Sequence, residues 1–99
     1  MELIFKVKND IQNQFKHGVK IRPDRLNPID LGFVIQNDKI SKVFKIDNEN
    51  IKYNARTKTI ELNSILGEEL TDHELIGEKV NYQTFNPATI NNIDQLLIK

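Results

Sequence analysis

The side chains able to do chemistry in this chain of 99 residues are few: two histidines, two serines and no cysteine. Without cysteine there is no thiol nucleophile, no disulfide and no cysteine-ligated zinc or iron–sulfur centre. Ser41 and Ser64 lie outside any GxSxG setting, so neither reads as an activated nucleophile. His17 and His73 are far apart in sequence, and a site built on them would need carboxylates brought in from elsewhere. They read as structural or solvent-facing. Gly18, Gly32, Gly67 and Gly77 match no phosphate-binding fingerprint. Glu68, Glu69, Asp72 and Glu74 lack the twelve-residue spacing of a calcium loop. The sequence therefore predicts no enzyme, no metal and no cofactor.

What remains is charge. The formal net charge is zero, with 14 Lys or Arg against 14 Asp or Glu. Residues 1–60 hold twelve Lys or Arg and seven Asp or Glu, an excess of five positive charges; residues 61–99 hold two against seven, an excess of five negative. Such a split marks opposed surfaces if folding keeps the two halves apart. Glu61 to Glu78 contains six carboxylates with no Lys or Arg between them. Within it, Glu68, Glu69, Asp72, Glu74 and Glu78 form a candidate surface for a basic protein partner.

The basic counterpart begins at KHGVKIRPDR, residues 16–25. Lys20, Arg22 and Arg25 there, with Lys42, Lys52 and Arg56 further on, form a candidate nucleic-acid surface, to which Lys39, Lys45 and Lys58 add charge. Binding a strand takes cations for phosphate and an aromatic face for a base. Phe44 and Tyr53 are the nearby aromatics, and both fall where a strand needs a core residue, so both are expected inside. Lysine outnumbers arginine eleven to three, which supplies diffuse charge rather than bidentate geometry.

Three function classes follow. The first is a non-catalytic accessory or regulatory protein that works by protein binding or inhibition through the acidic residues. The alternative is an RNA- or DNA-binding regulator using the basic ones. A self-assembling structural subunit, hence a homo-oligomer, is a third. No apolar run reaches membrane-spanning length, and MELIFKV lacks the long apolar core of a signal peptide, so no membrane insertion and a cytoplasmic location are expected. The bias to Ile, Asn and Lys over Ala and Arg is that of an AT-rich genome, as in a small bacterial, phage or plasmid protein. No family motif can be laid on the chain residue by residue.

The elements that must position these charges are mostly strands. The expected fold is a single domain over residues 1–99, mainly β: a small antiparallel meander or partly closed barrel with one short helix. Leu3, Phe5 and Val7 alternate with Glu2, Ile4, Lys6 and Lys8 on the other parity and predict a first strand. Residues Asn9 to Phe15 allow one helical turn capped by Asp10. Val19 and Ile21 predict a short strand ending before Pro23, and residues 23–32 a loop with Leu26, Ile29 and Leu31 tucked inward. Four strands follow, Phe33–Gln36, Ile40–Asp47, Ile51–Asn54 and Thr59–Leu62, with turns at Asn37-Asp38, Asn48–Asn50 and Ala55–Lys58, where Asn and Asp suit tight backbone. Ser64 to Gly67 reads as a turn. Thr71 and Glu74 have capping-box spacing and predict the helix, over Thr71–Ile76. Val80, Tyr82 and Thr84 share one side of a segment ending at Pro87. The apolar residues at 93 and 96–98 fit either a helical turn or a closing strand.

Overall fold

In the computed structural model, residues 1–7, 18–83 and 88–98 are described. Among them eight strands form: β1 (Glu2–Lys6), β2 (Gly18–Val19), β3 (Leu31–Gln36), β4 (Lys39–Ile46), β5 (Tyr53–Asn54), β6 (Thr59–Glu61), β7 (Leu66–Glu69) and β8 (Ala88–Asn91). They make a five-stranded sheet ordered β7-β4-β3-β1-β8 and a three-stranded sheet ordered β2-β6-β5. The chain is mainly β and mostly antiparallel, as the sequence predicts; among the described residues no barrel closes. The radius of gyration is 12.7 Å, close to the ~13 Å of a compact domain of about 100 residues.

The expected meander is broken twice: β4 and β5 lie in separate sheets, and the first strand pairs in parallel. β1 lies parallel to β3, with Leu3 beside Gly32 and Phe5 beside Val34. A parallel pair needs a long crossover, and residues 7–30 supply it. This connection sends Val19, Ile21, Leu26 and Ile29 over one face of the large sheet, where with Ile60, Leu62 and Ile65 they bury Leu3, Phe5 and Val34. The opposite face carries Ile4, Phe33, Ile35 and Val43. Val80, Tyr82 and Ile93 cover it, with Leu70, Leu75, Leu96 and Leu97 at its margin. The large sheet is thus the middle of three layers.

That layering corrects the reading of the first strand. Leu3, Ile4 and Phe5 are all buried, because a strand covered on both faces needs a continuous apolar run rather than alternation. The four strands expected over 33–62 are all present within two residues of their expected bounds. They form two hairpins in separate sheets. Asp47 diverts the chain between them: its carboxylate accepts the Glu49 N–H at 3.0 Å and the Asn50 side-chain amide at 2.7 Å. Those bonds, the Asn50 amide first, hold its pKa below the ordinary carboxylate value.

The helix expected over Thr71–Ile76 does not form. Four-residue turns replace it: His73 N–H to Leu70 O, Ile76 N–H to His73 O and Glu78 N–H to Leu75 O. In place of a capping box, His73 Nδ1 accepts the Leu75 N–H at 3.2 Å. Gly77, at φ +93°, then reverses the chain. Among the described residues, the helices are single turns at Pro23–Leu26, Leu62–Ile65 and Ile93–Leu96. The first falls inside the expected loop, with Leu26 and Ile29 buried as predicted. The last settles the tail as a helical turn, after which Leu97 bridges to Val80.

β7 and β8 were not expected as strands. The readings that rest on the helical turn over residues 9–15, Lys16, His17, Thr84 and Pro87 lie outside the described residues. Among the described residues no helix is long and apolar enough to cross a membrane.

Candidate functional site

The acidic residues divide. Glu68 and Glu69 lie on β7, an edge strand, and each meets a lysine of the neighbouring β4: Glu68 with Lys45 at 3.3 Å and Glu69 with Lys42 at 3.8 Å. Asp72, Glu74 and Glu78 are exposed on the turns that follow and make no ion pair among the described residues. The expected patch is therefore a loop of three open carboxylates beside two partly neutralised ones. Lys42 lies on β4 of the large sheet beside Glu69, away from the other basic candidates. Among the described residues, no three His, Asp or Glu side chains gather as metal ligands. His73 packs edge-on against Phe33, ring centroids 5.5 Å apart, and anchors its loop to the core.

The basic residues converge on the small sheet. β5 and β6 pair Tyr53 with Ile60 and Asn54 with Thr59, leaving a four-residue turn, residues 55–58. Asn54 Oδ1 accepts the N–H groups of Arg56 at 2.9 Å and Thr57 at 3.3 Å, and Lys58 closes the turn at φ +58°. The start of β5 is fixed by Ser64, whose Oγ accepts the Lys52 N–H at 3.0 Å and donates to Glu61 O at 2.6 Å. On the other edge β2 pairs with β6, Val19 opposite Ile60 and Gly18 opposite Glu61. A Cβ at Gly18 would lie 2.5 Å from Thr59 Cβ, so only glycine permits this approach.

Tyr53 shares a sheet face with Ile60 and Val19, as the alternation predicts, but it is 41% exposed. The expectation that it fills the core is corrected: β5 is the outer strand of a small sheet and extends past the core it faces. Phe44, by contrast, packs against the core cluster. Lys20, Arg22 and Lys58 line a groove of 460 Å³ together with Tyr53. A second groove, 650 Å³, holds Lys52, Tyr53, Asn54, Thr57, Thr59 and Glu61 among its walls. Tyr53 therefore stands between two grooves, with cations on both sides. Two carboxylates temper that charge, Glu61 in the second groove and Asp24, which lies 3.3 Å from Arg22.

Of the six basic candidates, the structure brings Lys20, Arg22 and Lys52 to Tyr53 and leaves Arg56 in the adjoining turn. Arg25 faces a third cleft with Lys20 and the residues of β8. Sequence reading misses the Ala88–Ile90 wall of that cleft, since nothing in those residue types signals a site.

Comparison of the chain with protein-family profiles, with curated proteins and with solved structures returns no match. The functional reading rests on these residues alone.

Proposed function

We propose that this chain is a non-catalytic accessory protein of the cytoplasm that binds single-stranded nucleic acid along the rim of its small sheet. The observation that carries the reading is Tyr53, exposed between a groove with Lys20, Arg22 and Lys58 and a groove with Lys52. Cations attract the phosphates whatever the sequence, and an exposed ring gives an unpaired base a surface on which to stack. A duplex keeps its bases stacked inside and offers the ring nothing. Lysine-dominated charge without bidentate geometry favours a binder tolerant of base sequence. Fluorescence anisotropy with single-stranded RNA, single-stranded DNA and duplex DNA at low salt tests the reading. Equal affinity for duplex and single strand, or no binding to either, removes it.

A second reading is supported by the open carboxylates of Asp72, Glu74 and Glu78, exposed without an ion pair among the described residues. On this reading a basic protein docks against the 70–78 turns and is obstructed. Reversing those three charges abolishes capture of such a partner and leaves oligonucleotide binding intact. If capture survives the reversal, the acidic surface is not the contact.

A further inference from the structure

The two edges of the large sheet are not equivalent. β7 carries Gly67, Glu68 and Glu69 and pairs with β4 through an irregular register. Charge and irregularity are the usual guards against a strand being extended by another chain. β8, at the opposite edge, reads Ala88-Thr89-Ile90-Asn91, without a charge, a glycine or a proline. It pairs with β1 on one side, and among the described residues no strand pairs with the other.

Beside β8 lies a cleft of 550 Å³ lined by Ala88, Thr89 and Ile90 on one wall and by Gly18, Val19, Lys20, Ile21 and Arg25 on the other. Adjacent residues of a strand point to opposite faces. Ala88 and Ile90 share the face that packs with Val19 and Ile21, whereas the Thr89 side chain meets Tyr82 on the other face, so the cleft meets Thr89 at its backbone. The facing wall includes β2, the outer strand of the small sheet, so the cleft runs between an edge of each sheet. Its volume falls within the ~300–1,000 Å³ usual for ligand clefts. Val19 and Ile21 are buried beneath it. Among the described residues that line it, the charged ones are Lys20 and Arg25, both exposed, and none is a carboxylate.

We propose that this cleft accepts an extended acidic peptide segment of a partner protein, added to β8 as a sixth strand of the large sheet. Main-chain bonds along β8 hold the peptide, while Lys20 and Arg25 select acidic side chains. Four residues of β8 offer roughly 13 Å of edge, enough to pair about four residues of the incoming segment. This inference does not rest on the nucleic-acid reading, because Tyr53 takes no part in it.

The test uses the full chain and a short fluorescein-labelled peptide of alternating valine and glutamate. In an antiparallel edge strand, alternate N–H groups point away from the existing neighbour. Amide exchange should therefore slow about tenfold at the outward-facing members of Ala88–Asn91 when peptide binds. A peptide N-methylated at alternate residues keeps its charge and loses strand pairing, and it should bind at least about tenfold more weakly. Replacing glutamate by glutamine in the peptide, or making Arg25→Glu in the protein, should weaken binding about as much. Equal binding of the N-methylated peptide overturns strand addition, equal binding of the glutamine peptide overturns acidic selection, and no binding of the parent peptide overturns both. If a single-stranded oligonucleotide, and not the peptide, protects the β8 amides, the cleft is an extension of the Tyr53 site and the proposal fails. Tyr53→Ala leaves peptide binding unchanged, which separates this outcome from that of the nucleic-acid reading.

Discussion

Removing the Tyr53 ring should lower affinity for a single strand without changing how that affinity responds to salt. Stacking and charge are separable here because the exposed ring and the cations around it belong to different residues. A base stacked on an aromatic side chain contributes ~1–3 kcal/mol, so Tyr53→Ala should weaken binding ~5- to 150-fold. Tyr53→Phe keeps the π-face and should cost under about twofold. The four cations beside the ring are Lys20, Arg22, Lys52 and Lys58. Each phosphate contact on a single strand adds ~0.7 to the slope of log affinity against log salt, so four give ~2.8. Raising salt from about 50 to 200 mM should then weaken binding ~50-fold. Arg22 is 3.3 Å from Asp24, but an exposed pair holds weakly and leaves the guanidinium able to exchange partners. Lys58→Ala should reduce the slope by ~0.7 and Tyr53→Ala by nothing. Anisotropy titrations of a labelled strand roughly ten nucleotides long, within the usual site size, give both numbers. If Tyr53→Ala binds like the parent protein, or if it flattens the salt response, stacking at this ring is not what holds the strand.

Tyr82→Phe removes a buried hydroxyl that donates to Ile4 O at 3.2 Å and contacts Thr89 Oγ1; losing those bonds should cost ~0.5–1.5 kcal/mol, read as a lower melting temperature. Burial raises the Tyr82 pKa above 10.0. The folded state then holds this proton more tightly than the unfolded one, so its contribution is complete below that pH and is lost as pH rises beyond it. Tyr82→Phe should remove that part of the alkaline loss, and an unchanged alkaline profile would show that the phenol is not responsible. Gly18→Ala forces β2 away from Thr59 and should destabilise by ~1–3 kcal/mol. Adding Thr59→Gly should then cost less than its separate effect predicts, and strict additivity in denaturant melts would mean that the close approach is not limiting. Asp38→Gly suits the left-handed turn, where Asn37 and Asp38 sit at φ 54° and 60°. Asp already tolerates this conformation, so a relief of under ~1 kcal/mol is about offset by the ~0.5–1 kcal/mol of added glycine freedom, and thermal melting should stay within a few degrees of the parent; a larger fall would show that the Asp38 carboxylate matters.

The parts of this fold that sequence reading recovers are those whose cause is local. Asn37-Asp38 adopts left-handed backbone because Asn and Asp tolerate it, and Asn54 ties the next turn by bonding to residues two and three further on. Strand boundaries follow from such turns. Partnership does not. Nothing in MELIFKV says that its neighbours will be residues 32–35 in parallel and 88–91 in antiparallel alignment, and that choice alone decides whether Ile4 faces water or a second core. The 71–76 segment fails for a related reason. Its capping spacing is sound locally, but Leu70 and Leu75 must both reach the sheet, and turns place them there where one short helix ending at Gly77 does not. The site divides along the same line. Lys20, Arg22 and Lys52 were legible as charge, and the parity of Tyr53 was legible as inward. What places the ring among those cations is the narrowness of the small sheet, whose outer strand runs out beyond the core. A sheet one strand wider would bury Tyr53 beside Ile60 and leave the same lysines as ordinary solvated charge.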